Sequence, residues 1–189
     1  VNNLLNSGDV PNLFDDNDRL IDNNSWSGRQ DVTRAEQIEA LTRVFAAIDA
    51  DAIMLIEAPD TNGHRSSTRA IENFAAHAGI RARTGLIGFT NDTQQEIVLL
   101  YDPYVITARH DPLGDETGKK GARNAPRFDS VFRIDLDTDA APDLVRWSKP
   151  PLEVAVTHKS GRVFRMIGVH AKSKAPHGAR SHAEVMRIS

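Results

Sequence analysis

Cysteine is absent from the 189 residues, which removes disulfides, thiolate zinc sites and cysteine nucleophiles together. Aromatic residues make up only 6% of the chain and include two tryptophans. Trp26 and Trp147 therefore read as packing anchors rather than as a platform on which bases stack. No apolar run approaches the roughly 20 residues that a membrane-spanning helix needs. No charged-then-apolar signal segment opens the chain either, and these absences together point to the cytoplasm. Neither sign of charge dominates: 23 Lys and Arg face 26 Asp and Glu, for a net charge of −3. No global basic field therefore recommends a nucleic-acid partner, although a metal-dependent enzyme can meet phosphate through its cation and a local basic rim.

Several chemistries are missing as motifs. His177 and His182 lack the HExxH pattern of a zincin. No GxSxG elbow and no Walker loop occur. Gly85 and Gly88 are too sparse for a dinucleotide loop, and Ser66-Ser67 read as helix caps rather than nucleophiles.

What remains, 40% of it hydrophobic, suffices for one substantial core, so a single domain over 1–189 is the expectation. Residues 6–32 are rich in Asn, Asp, Ser and Gly and read as a long irregular loop. Thr33-Arg34-Ala35-Glu36 fits a capping box that opens a helix with Ile38, Leu41, Val44, Phe45 and Ile48 on one face. Residues 52–56 are continuously apolar and suit a strand covered on both sides. The spacing predicts a second helix over 66–78 stopped by Gly79. Strands are expected at 80–87, 96–101, 103–109, 128–135, 152–158 and 162–170, with a hairpin turn at Lys159-Ser160-Gly161. Residues 110–126 form a polar loop with Lys119, Lys120 and Arg123, and 181–189 read as a helix. Helix, strand, helix, then strands with hairpin connections implies an α/β or α+β protein with a mixed sheet.

Two strand ends carry chemistry. Glu57 follows five apolar residues, so its carboxylate either escapes to solvent or binds something, and a hard cation such as Mg²⁺ is the natural ligand. His170 ends a strand and is followed by Lys172, Ser173 and Lys174. A half-buried structural histidine beside a basic turn explains that stretch. So does a rim of donors for phosphate oxygens, with His170 placed to orient or protonate one of them.

The order of these segments resembles the endonuclease/exonuclease/phosphatase superfamily. Asp49-Ala50-Asp51-Ala52-Ile53-Met54-Leu55-Ile56-Glu57 resembles its "DADVVALQE" segment, with Ile56 in the place of Gln. Ile97-Val98-Leu99-Leu100-Tyr101-Asp102 is similar to "IALLYR", and Lys149-Pro150-Pro151-Leu152 to "RPPL". Gly168-Val169-His170-Ala171-Lys172-Ser173-Lys174 is similar to "VHLKSK", and Val1-Asn2-Asn3-Leu4 to the residues after the first asparagine of "FNVNNL".

The resemblance implies a DNase I-like four-layer α/β sandwich, two packed mixed sheets with outer helices. It implies a metal-dependent phosphoester hydrolase, with a nuclease first. A phosphatase or sphingomyelinase-like phosphodiesterase is the same-fold alternative, and a non-catalytic binding module the alternative from another class. Glu57 would hold Mg²⁺ or Mn²⁺, His170 would be catalytic, and Lys172, Ser173 and Asn2 would contact substrate. The partner would be nucleic acid or another phosphoester, met by Lys119, Lys120, Arg123 and Arg127. The superfamily's metal-positioning asparagine would fall before Val1, and its GDFN and SDH segments do not occur in these residues. The chain is thus expected to be the N-terminal half to two-thirds of a domain incomplete at both ends, and unstable or inactive in isolation.

Overall fold

The computed structural model describes residues 13–27, 31–58, 67–88, 96–112, 133–134, 141, 143–144 and 151–170. The first helix, α1 (Arg34–Ile48), opens on the expected capping box. The Glu36 backbone N–H donates to Thr33 Oγ1 at 3.3 Å, and the Thr33 backbone N–H donates to Glu36 Oε2 at 2.8 Å. Two donors that no helical turn can satisfy are thereby paired reciprocally. Asp49, in left-handed conformation, ends the helix and leads into strand β1 (Ala52–Ala58). Helix α2 (Ser67–His77) follows. Its end is a Schellman motif: Gly79 at φ +64° donates to the Ala76 carbonyl, and Ile80 donates to that of Ala75.

That motif carries Ile80 and the buried Ala82 past the helix, so β2 (Thr84–Ile87) starts later than the run 80–87 suggests. Strand β3 (Glu96–Tyr101) falls where expected. Strand β4 (Ile106–His110) is delayed by a turn at Asp102, whose side chain accepts from Tyr104 N–H at 2.9 Å and whose carbonyl accepts from Ile106 N–H at 2.9 Å. A two-residue ladder joins β5 (Arg133–Ile134) to β6 (Asp143–Leu144). Strands β7 (Leu152–His158) and β8 (Val163–Gly168) make the expected hairpin. The helix expected at 181–189 lies outside the described residues.

Two three-stranded sheets result, ordered β1-β3-β2 and β4-β7-β8. Every strand pairing among the described residues is antiparallel, which corrects the expectation of mixed sheets. The tight β7–β8 hairpin admits only antiparallel neighbours, while β1–β3 and β4–β7 are neighbours joined by long stretches of chain, whose length leaves either direction open.

The first sheet is covered twice. On one side Leu55, Val98 and Leu100 pack with Ile38, Leu41 and Phe45 of α1 and Ile71, Phe74 and Ala75 of α2. The Phe45 and Phe74 rings meet edge to face, 5.1 Å between centroids. On the other side Ile97 and Leu99 pack with Ile106, Leu152, Val154 and Val156 of the second sheet. The described residues thus form three layers, helices on sheet on sheet.

The polar N-terminal stretch is less idle than its composition suggests, since Leu13 and Phe14 are buried in the helix-side core. Trp26 is not a packing anchor: it is 64% exposed, because the isolated bridge Trp26–Thr33 holds its backbone at the mouth of α1 outside both cores. Trp147 lies outside the described residues. No helix among the described residues is long and apolar enough to cross a membrane.

The capping box yields a first prediction. Thr33→Ala removes the hydroxyl acceptor and is expected to cost about 1 kcal/mol in urea unfolding. The backbone N–H of Thr33, then its side chain, hold the Glu36 carboxyl below its usual 4.5. A depressed carboxyl contributes stability that is present above that value and lost as pH falls through the folded one. Glu36→Gln is therefore expected to flatten the acid limb of the stability profile below pH 4.5, read by melting temperature against pH.

Candidate functional site

Glu57 and His170, far apart in sequence, meet. His170 Nε2 lies 3.2 Å from Glu57 Oε1, with the two side chains only 13% and 12% exposed. They belong to different sheets, Glu57 to β1 and His170 to the segment just after β8. A carboxylate can only accept, so a hydrogen bond here places the proton on Nε2.

Each residue reaches that point by simple rules of strand geometry. Along β8, Met166 and Gly168 stand opposite Val154 and Leu152 of β7 and so share their inward face. The alternation continues beyond the strand: Val169 is exposed and His170 turns inward.

Glu57 requires a fault in the alternation. Ala52, Met54 and Ile56 pack toward the second sheet, while Ile53 and Leu55 pack toward the helices. Regular pleating would send Glu57 to the helix side. Instead the β1–β3 register slips between Ile56 and Ala58, which face Ile97 and Glu96, and leaves Glu57 as the extra residue of a β-bulge. Its backbone is left-handed, at φ +62°. Ala58 takes the helix-side place that parity would have given Glu57, and is buried there. The bulge thereby re-aims the carboxylate.

The sequence-predicted residues are thus divided. Glu57 and His170 are brought together as one buried pair. Asn2, Lys172, Ser173 and the basic residues Lys119, Lys120, Arg123 and Arg127 lie outside the described residues. Among the described residues no three His, Asp or Glu side chains gather as a metal-binding group. Two surface clefts are lined by other side chains: one of about 330 Å³ beside Glu36, Glu39 and His77, and one of about 310 Å³ beside Tyr104, His158 and Lys159. Neither is lined by Glu57 or His170.

Sequence reasoning placed Glu57 at a strand end, as a solvated terminus or a cation ligand, and missed the bulge. Its one local signal is that a strand of apolar residues carries an acid one position before its last alanine.

Comparison with family models, curated protein sequences and solved structures finds no match to this chain.

The bulge makes a thermodynamic prediction. Glu57→Ala and Glu57→Gly both remove the contact with His170, but only glycine accepts the left-handed backbone without strain. Glu57→Gly is therefore expected to be the more stable variant by about 1 kcal/mol, whereas a regular strand position gives the opposite order by roughly 0.5–1 kcal/mol. Paired urea titrations of the two variants read the sign directly.

Proposed function

We propose that this chain carries part of the phosphate-handling site of a metal-dependent phosphoester hydrolase, a nuclease in the first instance. The observation that supports the reading is the buried Glu57–His170 pair at the meeting of two sheets. Two residues singled out for separate reasons, on strand ends far apart in sequence, come within hydrogen-bonding distance. A helix–sheet–sheet stack with its polar pair between the sheets agrees with a DNase I-like sandwich. The fourth layer, helices outside the second sheet, belongs to the proposal.

The donor chemistry fits a hard cation as a one-carboxylate site. Glu57 would supply the protein oxygen, and water and substrate phosphate the rest, as Mg²⁺ accepts. Mg²⁺ or Mn²⁺ held there would supply charge neutralisation at a phosphoryl oxygen.

The chain's own residues do the following. The bulge holds the Glu57 carboxylate away from the helix core and toward the second sheet. That carboxylate fixes the tautomer and orientation of the His170 ring, as an acid does for a working imidazole in many sites. His170, so oriented and protonated at both ring nitrogens, would donate from Nδ1 to the scissile phosphate while Nε2 stays on Glu57, and would stabilise the developing negative charge. Burial between the sheets keeps the local dielectric low, so each of these interactions counts for more than it would in water. Lys172, Ser173 and Asn2 extend the contacts to substrate oxygens. The preference for nucleic acid rests on Lys119, Lys120, Arg123 and Arg127, basic side chains suited to a polyanionic backbone.

The test is hydrolysis of plasmid DNA, RNA and bis(p-nitrophenyl) phosphate by the full-length gene product, with Mg²⁺ and with EDTA. His170→Ala is expected to lower turnover by about 10²–10³-fold, the scale of losing one charge-stabilising donor. Glu57→Gln is expected to lower Mg²⁺-dependent turnover at least as far with little change in melting temperature. Loss of stability alone in His170→Ala would return that histidine to a structural role. Phosphoester binding without hydrolysis would identify a binding module.

A further inference from the structure

We infer that Gly168 is a positioning residue: its missing side chain sets the separation of β8 from the first sheet, and through it the contact between His170 and Glu57. Its role in turnover rests on the reading proposed above; the geometric claim does not.

Gly168 is buried and faces inward, opposite Leu152. A Cβ placed on it would lie 2.7 Å from Ile97 Cγ2, 2.7 Å from Met54 Sδ and 3.1 Å from Met54 Cγ. Ordinary contacts begin at 3.4 Å, so an alanine here forces something to move. The three candidates differ in stiffness. Met54 has an unbranched thioether and can rotate aside. Ile97 cannot: it is β-branched, with its Cγ2 fixed to the backbone by χ1. It is also buried on the central strand β3, with its carbonyl held by the Gly88 N–H at 2.7 Å. The third candidate is β8 itself, an edge strand paired only to β7 among the described strands. The softest response is for the edge strand to back away from Ile97.

That displacement reaches the pair directly, because His170 lies two residues beyond Gly168 on the same face. The His170–Glu57 distance is 3.2 Å, with little left before a hydrogen bond ceases to be one at about 3.6 Å. The added methyl must retreat from 2.7 Å to 3.4 Å from Ile97, and the contact breaks if roughly half of that shift is felt at His170. Glu57 cannot follow, since its backbone is locked by the bulge against β3. Misplacements of about 1 Å in a catalytic group can cost on the order of 10²-fold in rate. The glycine therefore does for distance what the bulge does for direction.

The experiment uses ¹⁵N-labelled full-length protein and reads the His170 imidazole at one fixed pH. Wild type is expected to show a protonated Nε2 with the downfield Nε2–H resonance of a carboxylate-bound ring; its absence in folded wild type would overturn the geometry. Gly168→Ala is expected to lose that resonance. Adding Ile97→Ala deletes the wall and is expected to restore the resonance while lowering the melting temperature further, because it opens a cavity in the core. Contact and stability then move in opposite directions, which a purely structural glycine would not produce. An unchanged resonance in folded Gly168→Ala, or none in the double variant, would overturn the inference. Should Gly168→Ala alone fail to fold, the double variant decides on the same criterion, and its failure to fold counts against the inference. Turnover of bis(p-nitrophenyl) phosphate with Mg²⁺ is read in parallel: kcat is expected to fall about 10²-fold in Gly168→Ala with KM little changed. The expected resonance pattern in a protein that hydrolyses nothing would sink the hydrolase reading and leave the spacer in place.

Discussion

Strand β3 is buried on both faces, and the described structure is organised around that constraint. Val98 and Leu100 enter the helix-side core, Ile97 and Leu99 enter the core between the sheets, and all four are at most 2% exposed. A strand without a solvent face has no alternation to show, so its sequence reads as an unbroken apolar run. It also has no slack. β1 and β2 hydrogen-bond to its two edges, α2 lies over one side and the second sheet over the other. Large-to-small changes here would cost about 2–5 kcal/mol each, because neither core could collapse into the gap. The rigidity of β3 makes it the reference against which β1 bulges and β8 stops.

A second network ties the other end of the sheet. Arg81 donates to the Asp49 side chain at 3.0 Å and to its carbonyl at 2.8 Å, and it pairs with Asp51 and, at 3.7 Å, with Asp102. It thus links the end of α1, the start of β1 and the end of β3. The side chain is about half exposed, so the pairing is better read as a fastening of three chain ends than as a large source of stability. The asymmetry is informative. The sheet is fastened by exposed charges where β1 begins, and holds a buried polar pair where β1 ends.

Much of this was legible in the sequence. Period and capping chemistry placed α1 from Thr33 and stopped α2 at Gly79, and the apolar run of β3 and the turn at Lys159-Ser160-Gly161 placed the ladders. The errors fell where tertiary or turn chemistry outweighs local pattern. Asp102 folds its own backbone into a turn and delays β4, and the Schellman motif consumes Ile80. Trp26 is exposed because packing, not residue type, decides burial. The direction of strand pairing was misread because it depends on connections that local periodicity does not register. Glu57 and His170 were legible as suspicious polar ends of apolar strands. Their contact was not, since it requires a bulge that inverts parity at one residue and a glycine that admits close approach. Neither feature alters composition or periodicity.

On the reading proposed, these two devices set function against stability at the site. A left-handed backbone at a glutamate costs of order 1 kcal/mol, and taking a carboxylate and an imidazole out of water costs more than most ion pairs return. If stability were all that mattered, an apolar residue at 57 in regular pleat would fill the helix-side core as Leu55 does. Instead the chain inserts a residue, hands the core position to Ala58, and keeps an acid where it touches the opposite sheet. The two sheets share no hydrogen-bond ladder among the described strands, so no backbone register enforces that touch. It is held by side-chain volume, by Ile97 and Met54 against a glycine. A polar contact that is strained in its backbone, buried at a cost and positioned by packing makes a poor staple. The proposed reading accounts for that cost, because groups held ready for a ligand are preorganised at the expense of folding energy.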